Sequence, residues 1–237
     1  MSRIIDFHSH VLPGIDDGSK NLEQSLEMLR RSAQQGVDQM IATPHFYAHH
    51  DDPERFLRRR AEAEKHLREA MAGQEGLPEL GIGAEVYYFN GIADSDALLE
   101  LTINKKRYIL LEMPMSSWTD RMYREIEGIW IKQGLMPIVA HLDRYVTPFH
   151  ARDILERLED LPVLIQVNAS FFIDGNTRRL ALKMLKKGKI HLLGSDCHDL
   201  SDRAPNLGEA LAIIQKKLGQ DHINRINYYE DEVLFAD

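Results

Sequence analysis

Six apolar runs in this chain each stop on a nitrogen- or oxygen-bearing side chain, and no other feature constrains the fold as tightly. The first run, Ile4-Ile5-Asp6-Phe7, leads straight into His8-Ser9-His10. On an extended backbone, residues i and i+2 point the same way, with Cβ atoms about 7 Å apart. Two imidazoles so placed can converge on one cation through bonds of about 2.1 Å. Later runs end at Thr43-Pro44-His45, Gly83-Ala84-Glu85, Leu111-Glu112, Ala140-His141 and Ser195-Asp196-Cys197-His198. A single His-x-His is weak evidence. Six strand ends that each deliver a ligand are strong evidence for a multinuclear metal site.

Candidate strands are Ile4–Phe7, Gln39–Ala42, Glu79–Ile82, Tyr108–Leu111, Met136–Ala140, Val163–Val167 and Ile190–Leu193. Helical patterns separate them. Leu22, Leu26 and Leu29 recur at helical spacing behind Asn21, a candidate N-cap. Pro53–Met71 reads as a charged helix with proline in its first turn. Arg121–Lys132, His150–Leu158, Thr177–Lys187 and Leu207–Leu218 complete the set. Gly36, Gly134, Gly188 and Gly219 stand just past four of these helices, where a left-handed capping residue belongs. Sustained strand–helix alternation implies a parallel sheet. An open sheet spreads its strand ends along a line, whereas a closed one gathers them above a single C-terminal rim. The expectation is one α/β domain over residues 1–237, a (β/α)7-type barrel.

Composition limits the partners. The chain has 237 residues, 43% hydrophobic and 28% charged, which is ordinary for a globular protein. No apolar run approaches the roughly 20 residues that span a bilayer, so membrane insertion is not expected. The N-terminal segment enters a strand almost at once, leaving no room for a signal peptide. One cysteine excludes an internal disulfide framework and fits a reducing, cytoplasmic setting. A formal net charge of −8 argues against nucleic-acid binding, which needs a basic surface. Bound cations would offset part of that charge.

The expected ligands are His8, His10, Asp17, His45, Glu85, Glu112, His141, Asp196 and His198. These exceed the needs of one ion and suffice for two or three. Imidazole and carboxylate without thiolate suit Mn, Fe or Zn better than Ca or a cysteine-rich structural zinc. In Gly14-Ile15-Asp16-Asp17-Gly18, spacing leaves open which aspartate faces the site. His66, His150, His191 and His222 have no matching partners and read as structural. His49 and His50 lie in a polar loop and read as solvent-facing, with a lid role as the lesser alternative.

Taken in order, these segments, with Leu12-Pro13-Gly14-Ile15-Asp16-Asp17-Gly18 and Ala140-His141-Leu142-Asp143-Arg144-Tyr145, resemble the PHP (polymerase and histidinol phosphatase) superfamily. More narrowly, they resemble its bacterial protein-tyrosine phosphatases of capsular and exopolysaccharide biosynthesis. The resemblance covers nearly the whole chain. It implies a distorted (β/α)7 TIM-like barrel of the PHP type and three divalent ions, manganese first with iron or zinc as alternatives. The implied reaction is hydrolysis of phosphotyrosine by a metal-activated hydroxide, on a phosphoprotein such as the tail of a bacterial tyrosine kinase. The same nine residues take the ligand positions, and Arg144 and Arg203 take those of two phosphate-binding arginines. Asp143 departs from the glutamate expected in the His-x-Glu-Arg-Tyr motif, a conservative change.

Two alternatives compete: a small-molecule phosphomonoesterase of the histidinol-phosphate type, and a non-catalytic metal-binding scaffold. Absence of an appended domain lowers a polymerase-associated role. Cys197 to Arg203 also reads Cys-x5-Arg, the pattern of cysteine-dependent phosphatases. Its intervening His198-Asp199-Leu200-Ser201-Asp202 holds two aspartates and no glycine, a poor cradle for a dianion, so Cys197 reads as a small packed residue. The run Arg55, Arg58, Arg59 and Arg60 reads as a solvated helix face paired with Glu54, Glu62 and Glu64. Trp118 reads equally as pocket lining or core.

Overall fold

The computed structural model describes residues 3–146 and 151–235. Among them the strands are β1 (Ile5–Ser9), β2 (Gln39–Ala42), β3 (His45–Phe46), β4 (Glu79–Ile82), β5 (Glu85–Tyr87), β6 (Tyr108–Glu112), β7 (Met136–Val139), β8 (Leu164–Asn168) and β9 (Leu192–Gly194). The α-helices are α1 (Leu22–Gln34), α2 (Pro53–Met71), α3 (Asp120–Gln133), α4 (Asp143–Val146), α5 (Ala151–Glu159), α6 (Ser170–Ile173), α7 (Arg178–Lys186), α8 (Leu207–Leu218) and α9 (Gln220–Phe235). No described helix is long and apolar enough to cross a membrane.

Every strand pair is parallel. The strands run β1-β2-β4 in one sheet and β3-β5-β6-β7-β8-β9 in the other. The register that sets Ala42 beside Ile82 resumes with His45 beside Glu85, so Thr43-Pro44 and Gly83-Ala84 interrupt two longer paths. β1 and β6 are not neighbours, yet Ile5 and Phe7 share one buried cluster with Ile41, Tyr108, Leu110, Ile138 and Leu192. Strands that are distant in pairing order meet only if the sheet curls. Its first and last strands also touch, because Asp196 N–H donates to His8 O at 2.8 Å and His10 N–H to Cys197 O at 2.9 Å. The protein is therefore a mixed α/β fold with a curled parallel sheet. Burial on both faces explains strands such as Tyr-Ile-Leu-Leu in β6, apolar throughout rather than alternating.

Local chemistry sets the helices. Asn21 Oδ1 caps α1 by accepting Gln24 N–H at 2.9 Å. Behind that cap, Met28 and Leu29 are fully buried, each worth about 1.5–3 kcal/mol. Asp52 caps α2, with Pro53 in its first turn and Phe56, Arg60, Ala63 and Leu67 on its buried face. Gly134 ends α3 at φ 67° and ψ 13°, a left-handed cap without a Cβ penalty.

Several boundaries moved. β1 extends to Ser9, β8 to Asn168, and β9 starts at Leu192 rather than Ile190. His150 lies outside the described residues, and α5 is described from Ala151. Helix α9 was not expected. The arginine run on α2 needs correction. Arg60 is buried and donates to Gly83 O and Glu100 O, both at 2.8 Å. Arg59 ties Asp51, at 3.0 Å, to the carbonyl of Ile15. Arg58 alone makes the expected exposed pair, with Glu54 at 3.6 Å. A guanidinium has five donors, and here two of them join Gly83 and Glu100, which lie far apart in sequence, across the α2 face.

Candidate metal centre

The strand ends of β1, β3, β5, β6, β7 and β9 meet around Glu85. Its Oε1 lies 2.7 Å from His141 Nε2, and its Oε2 lies 3.2 Å from His8 Nε2, 3.3 Å from His10 Nε2 and 2.9 Å from His45 Nδ1. Asp196 Oδ1 stands 3.6 Å from His8 Nε2 and 3.5 Å from His10 Nε2. Glu112 is 3.7 Å from His45 Nδ1 and 3.6 Å from His141 Nε2. Asp17 Oδ1 is 3.4 Å from both His45 Nε2 and His198 Nε2. All nine sequence-predicted ligands are thus brought together.

Asp16 and Asp17 have different jobs. Asp16 Oδ2 accepts from His10 Nδ1 at 2.7 Å and from His45 N–H at 3.0 Å, so it lies behind the histidines. Asp17 faces the cluster.

The protonation pattern follows from the acceptors. His10 gives its Nδ1 proton to Asp16, and His198 gives its own to Asp196 O at 3.0 Å. His8 Nδ1 lies 3.4 Å from Gln166 Oε1, an oxygen that only accepts and that also takes His141 N–H at 2.6 Å. In all three rings this turns Nε2 inward, the arrangement by which outer partners orient metal-binding imidazoles. His8 and His10 Nε2 stand only 3.2 Å apart. Buried His45 Nδ1, Glu85 Oε2, Glu112 Oε2 and His198 Nε2 have no aligned hydrogen-bond partner. Such atoms cost about 1–3 kcal/mol each when left unsatisfied, and cations would satisfy them together. Among the described residues, three donor groups meet this need: His10, Asp17, His45 and His198; His8, His10 and Glu85; and His45, Glu85 and Glu112. The residues present fit divalent ions.

Electrostatics divide the carboxylates. Burial alone would raise Glu85, but the His8 charge and contacts with His10, His141 and His45 hold it well below its ordinary value. Burial, and then the Glu85 charge, push Glu112 up to about 7. Backbone geometry also aims the ligands. His141 and Asp196 take positive φ, 33° and 54°, a strained choice for non-glycine residues that is common at functional sites.

Strand β8 supplies no predicted ligand, and it carries what the sequence reading missed. Buried Gln166 holds His8 and His141, and its Nε2 donates to Asn168 Oδ1 at 3.2 Å. Asn168 Nδ2 donates in turn to Asp196 Oδ2 at 2.9 Å. The signal was present, as two polar residues at i and i+2 in the apolar run Leu164-Ile165-Gln166-Val167-Asn168. Gly194 makes this packing possible, since a Cβ there would lie 2.5 Å from His8 Cβ and 2.8 Å from Gln166 Nε2.

The two arginines converge on Asp196, Arg144 Nη2 on Oδ2 and Arg203 Nη2 on Oδ1 at 2.7 Å. Cys197 is buried, and burial followed by the Asp6 charge pushes its thiol far up, so it is an inert packed residue. Trp118 is core: its ring packs 5.1 Å from Tyr145 and 5.6 Å from Tyr123. His66 is exposed, while His191 and His222 hydrogen-bond to backbone away from the centre. His49 and His50 are exposed, as expected.

A curled parallel sheet that gathers five histidines and four carboxylates above its strand ends defines an α/β protein with a candidate metal-binding constellation. Residues 4–236 match the family described as capsular polysaccharide synthesis, CpsB/CapC, and the chain belongs to that family. It is 30% identical over 234 residues to the tyrosine-protein phosphatase CpsB of Streptococcus agalactiae serotype III (strain NEM316), covering 94% of each chain. It is 27% identical over 233 residues to the tyrosine-protein phosphatase YwqE of Bacillus subtilis (strain 168), covering 92% of this chain and 86% of that one. Among solved structures, one from a study of B. subtilis YwqE and Streptococcus pneumoniae CpsB, described as unique metal-dependent tyrosine phosphatases, superposes with a TM-score of 0.86. That match has 23% identity and covers 98% of this chain and 94% of the other. The PHP resemblance read from the sequence is consistent with these matches.

Proposed function

We propose that this chain is a metal-dependent phosphotyrosine-protein phosphatase whose centre is held by His8, His10, Asp17, His45, Glu85, Glu112, His141, Asp196 and His198. The observation that carries the reading is the convergence of four imidazoles on Glu85, with several buried polar atoms left without an aligned partner, in a chain of the CpsB/CapC family. The named relatives support phosphotyrosine over a small metabolite. The three donor groups support three cations, manganese first with iron or zinc as alternatives. The finer fold reading is a distorted (β/α)7 barrel over residues 1–237, with β2–β3 and β4–β5 each counted as one interrupted strand. The setting is the cytoplasm, and the substrate is the tail of a bacterial tyrosine kinase that controls polysaccharide synthesis.

When bound, the cations supply a nucleophile at neutral pH and positive charge against the phosphoryl oxygens. The side chains do the rest. Asp16, Gln166 and the Asp196 carbonyl hold imidazole Nδ1 protons and keep the rings aimed. Arg144 and Arg203 each place one terminal nitrogen on Asp196, which leaves further N–H donors for a dianion. Charge spreads over three equatorial oxygens in the transition state, where fixed guanidinium donors act most strongly. A tyrosine phenolate, with a pKa of about 10, leaves with little help. The test is metal-stripped enzyme restored ion by ion and assayed on phosphotyrosine and phosphoserine peptides. Restoration on phosphotyrosine is expected; phosphotyrosine hydrolysis that survives chelation and vanishes in Cys197→Ser would contradict it.

A further inference from the structure

The centre has a second flank that the chemistry above does not use. Tyr47 and Tyr87 each follow a proposed ligand, His45 and Glu85, by two residues. On extended strands that spacing keeps side chains on one face, so both rings stand one step outward from the donors. The parallel register of His45 with Glu85 and Phe46 with Val86 carries Tyr47 to the side of Tyr87, and their ring centroids are 5.5 Å apart. Tyr47 also stacks on His45, at 5.2 Å and 29°. His49 extends the surface, 6.0 Å from Tyr47 and 6.3 Å from Tyr87. Tyr47 and Tyr87 are half-buried and His49 is exposed, so the rings present a surface to solvent rather than a filled core. Both phenols, with an ordinary pKa of about 10, are neutral near pH 7. The arginines meet Asp196, just past β9, whereas Tyr47 directly follows β3 and Tyr87 ends β5.

We propose that Tyr47 and Tyr87 form an aryl subsite that binds the ring of an aromatic phosphomonoester while its phosphate meets the centre and the arginines. The assignment rests on the phosphatase reading above and adds the structural source of its preference for phosphotyrosine. One ester oxygen separates phosphorus from the ring in an aryl phosphate, so a ring beside the centre lies within reach of these side chains. A phosphoserine offers the same phosphate with no π-face. Offset and edge-to-face ring pairs add stabilisation beyond area burial, equivalent to roughly three- to tenfold in affinity.

Phenylphosphonate and methylphosphonate share a head group and differ in the ring, and neither has an ester bond to break. Calorimetric dissociation constants on the full manganese-loaded chain therefore report ring binding without catalysis. The wild type is expected to prefer phenylphosphonate. That preference should shrink about three- to tenfold in Tyr87→Ala and in Tyr47→Leu, with methylphosphonate affinity and metal content unchanged, and persist in Tyr47→Phe. Absence of a phenyl preference in the wild type, or an unchanged one in both truncated variants, would overturn the subsite. Equal weakening of both phosphonates would do so too, since the rings would then act by holding His45. Failure of the phosphatase reading registers separately, as a wild type that prefers phenylphosphonate yet releases no phosphate from a phosphotyrosyl peptide.

Discussion

The floor and the rim of the centre are built differently. On the floor, the His8, His141 and Glu85 side chains are at most 1% exposed. Each has several partners: Glu85 alone faces four imidazoles, and Gln166 anchors both His8 and His141. At the rim, Asp17, Arg144 and Arg203 are 66%, 33% and 37% exposed. Their contacts are few, two at 3.4 Å for Asp17. A buried charge survives only when fully compensated, so on the proposed reading the floor is what cations would hold together. The partly exposed arginines keep donors free, so on that reading they meet substrate. Changes to the floor should therefore strike metal content first, and changes to the rim arginines should strike substrate with metal intact.

The largest effect is expected from Glu85→Gln. It removes the charge that holds four histidines together, so bound metal per chain should fall and turnover should drop by orders of magnitude. Elemental analysis beside kinetics checks this; full metal content in the variant would break the division between floor and rim. Next come Arg144→Ala and Arg203→Ala. A hydrogen bond to a charged group contributes about 1.5–3 kcal/mol, so each should cost about ten- to a hundredfold in kcat/KM toward a phosphotyrosyl peptide, with metal content unchanged. Loss in KM alone would mark ground-state phosphate binding, and loss in kcat charge stabilisation in the transition state.

Gln166→Leu tests what holds the floor from beneath. Loss of an outer partner typically costs about 10–100-fold in metal affinity or activity. A metal titration should show weakening in that range, with partial recovery in Gln166→Glu, which keeps an acceptor for His8 and His141. Leucine and glutamate variants that bind metal alike would leave Gln166 a packing residue.

The smallest effect lies outside both regions. His191 Nδ1 accepts Ile165 N–H at 2.9 Å, and burial, then Arg225 and Lys189, push its pKa down to about 4. The unfolded chain takes up that proton near the ordinary 6.5 and the folded chain only near 4. Stability should therefore fall as pH drops from 6.5 to 4, and this contribution should then level off. Urea unfolding of metal-stripped protein should show a shallower pH dependence in His191→Asn than in wild type.

The floor was legible because its residues are chemically conspicuous. A histidine or carboxylate ending an apolar strand has few other uses, and repetition at six strand ends removed chance. Gln166 and Asn168 were hidden because amides do not announce metal chemistry and their work shows only in what they hold. Tyr47 and Tyr87 lie beyond the candidate strands Gln39–Ala42 and Glu79–Ile82, and only the register of β3 with β5 sets them side by side. Helix α9 escaped because its buried side mixes Asn227 and Glu230 with Ile223, Ile226, Val233 and Leu234. Burial pushes the Glu230 carboxyl well up, and a neutral carboxyl can sit where sequence suggests a solvated charge. Arg60 misled in the same way: the run around it looked solvated, while its own side chain is buried against Gly83 O.

The central claim is that these nine side chains hold catalytic cations. Anomalous diffraction at the manganese edge, on crystals of the loaded chain, tests it most directly. The account predicts peaks within the groups His10–Asp17–His45–His198, His8–His10–Glu85 and His45–Glu85–Glu112. Crystals of phosphotyrosine-hydrolysing, manganese-loaded protein with no anomalous peak among these residues would contradict it.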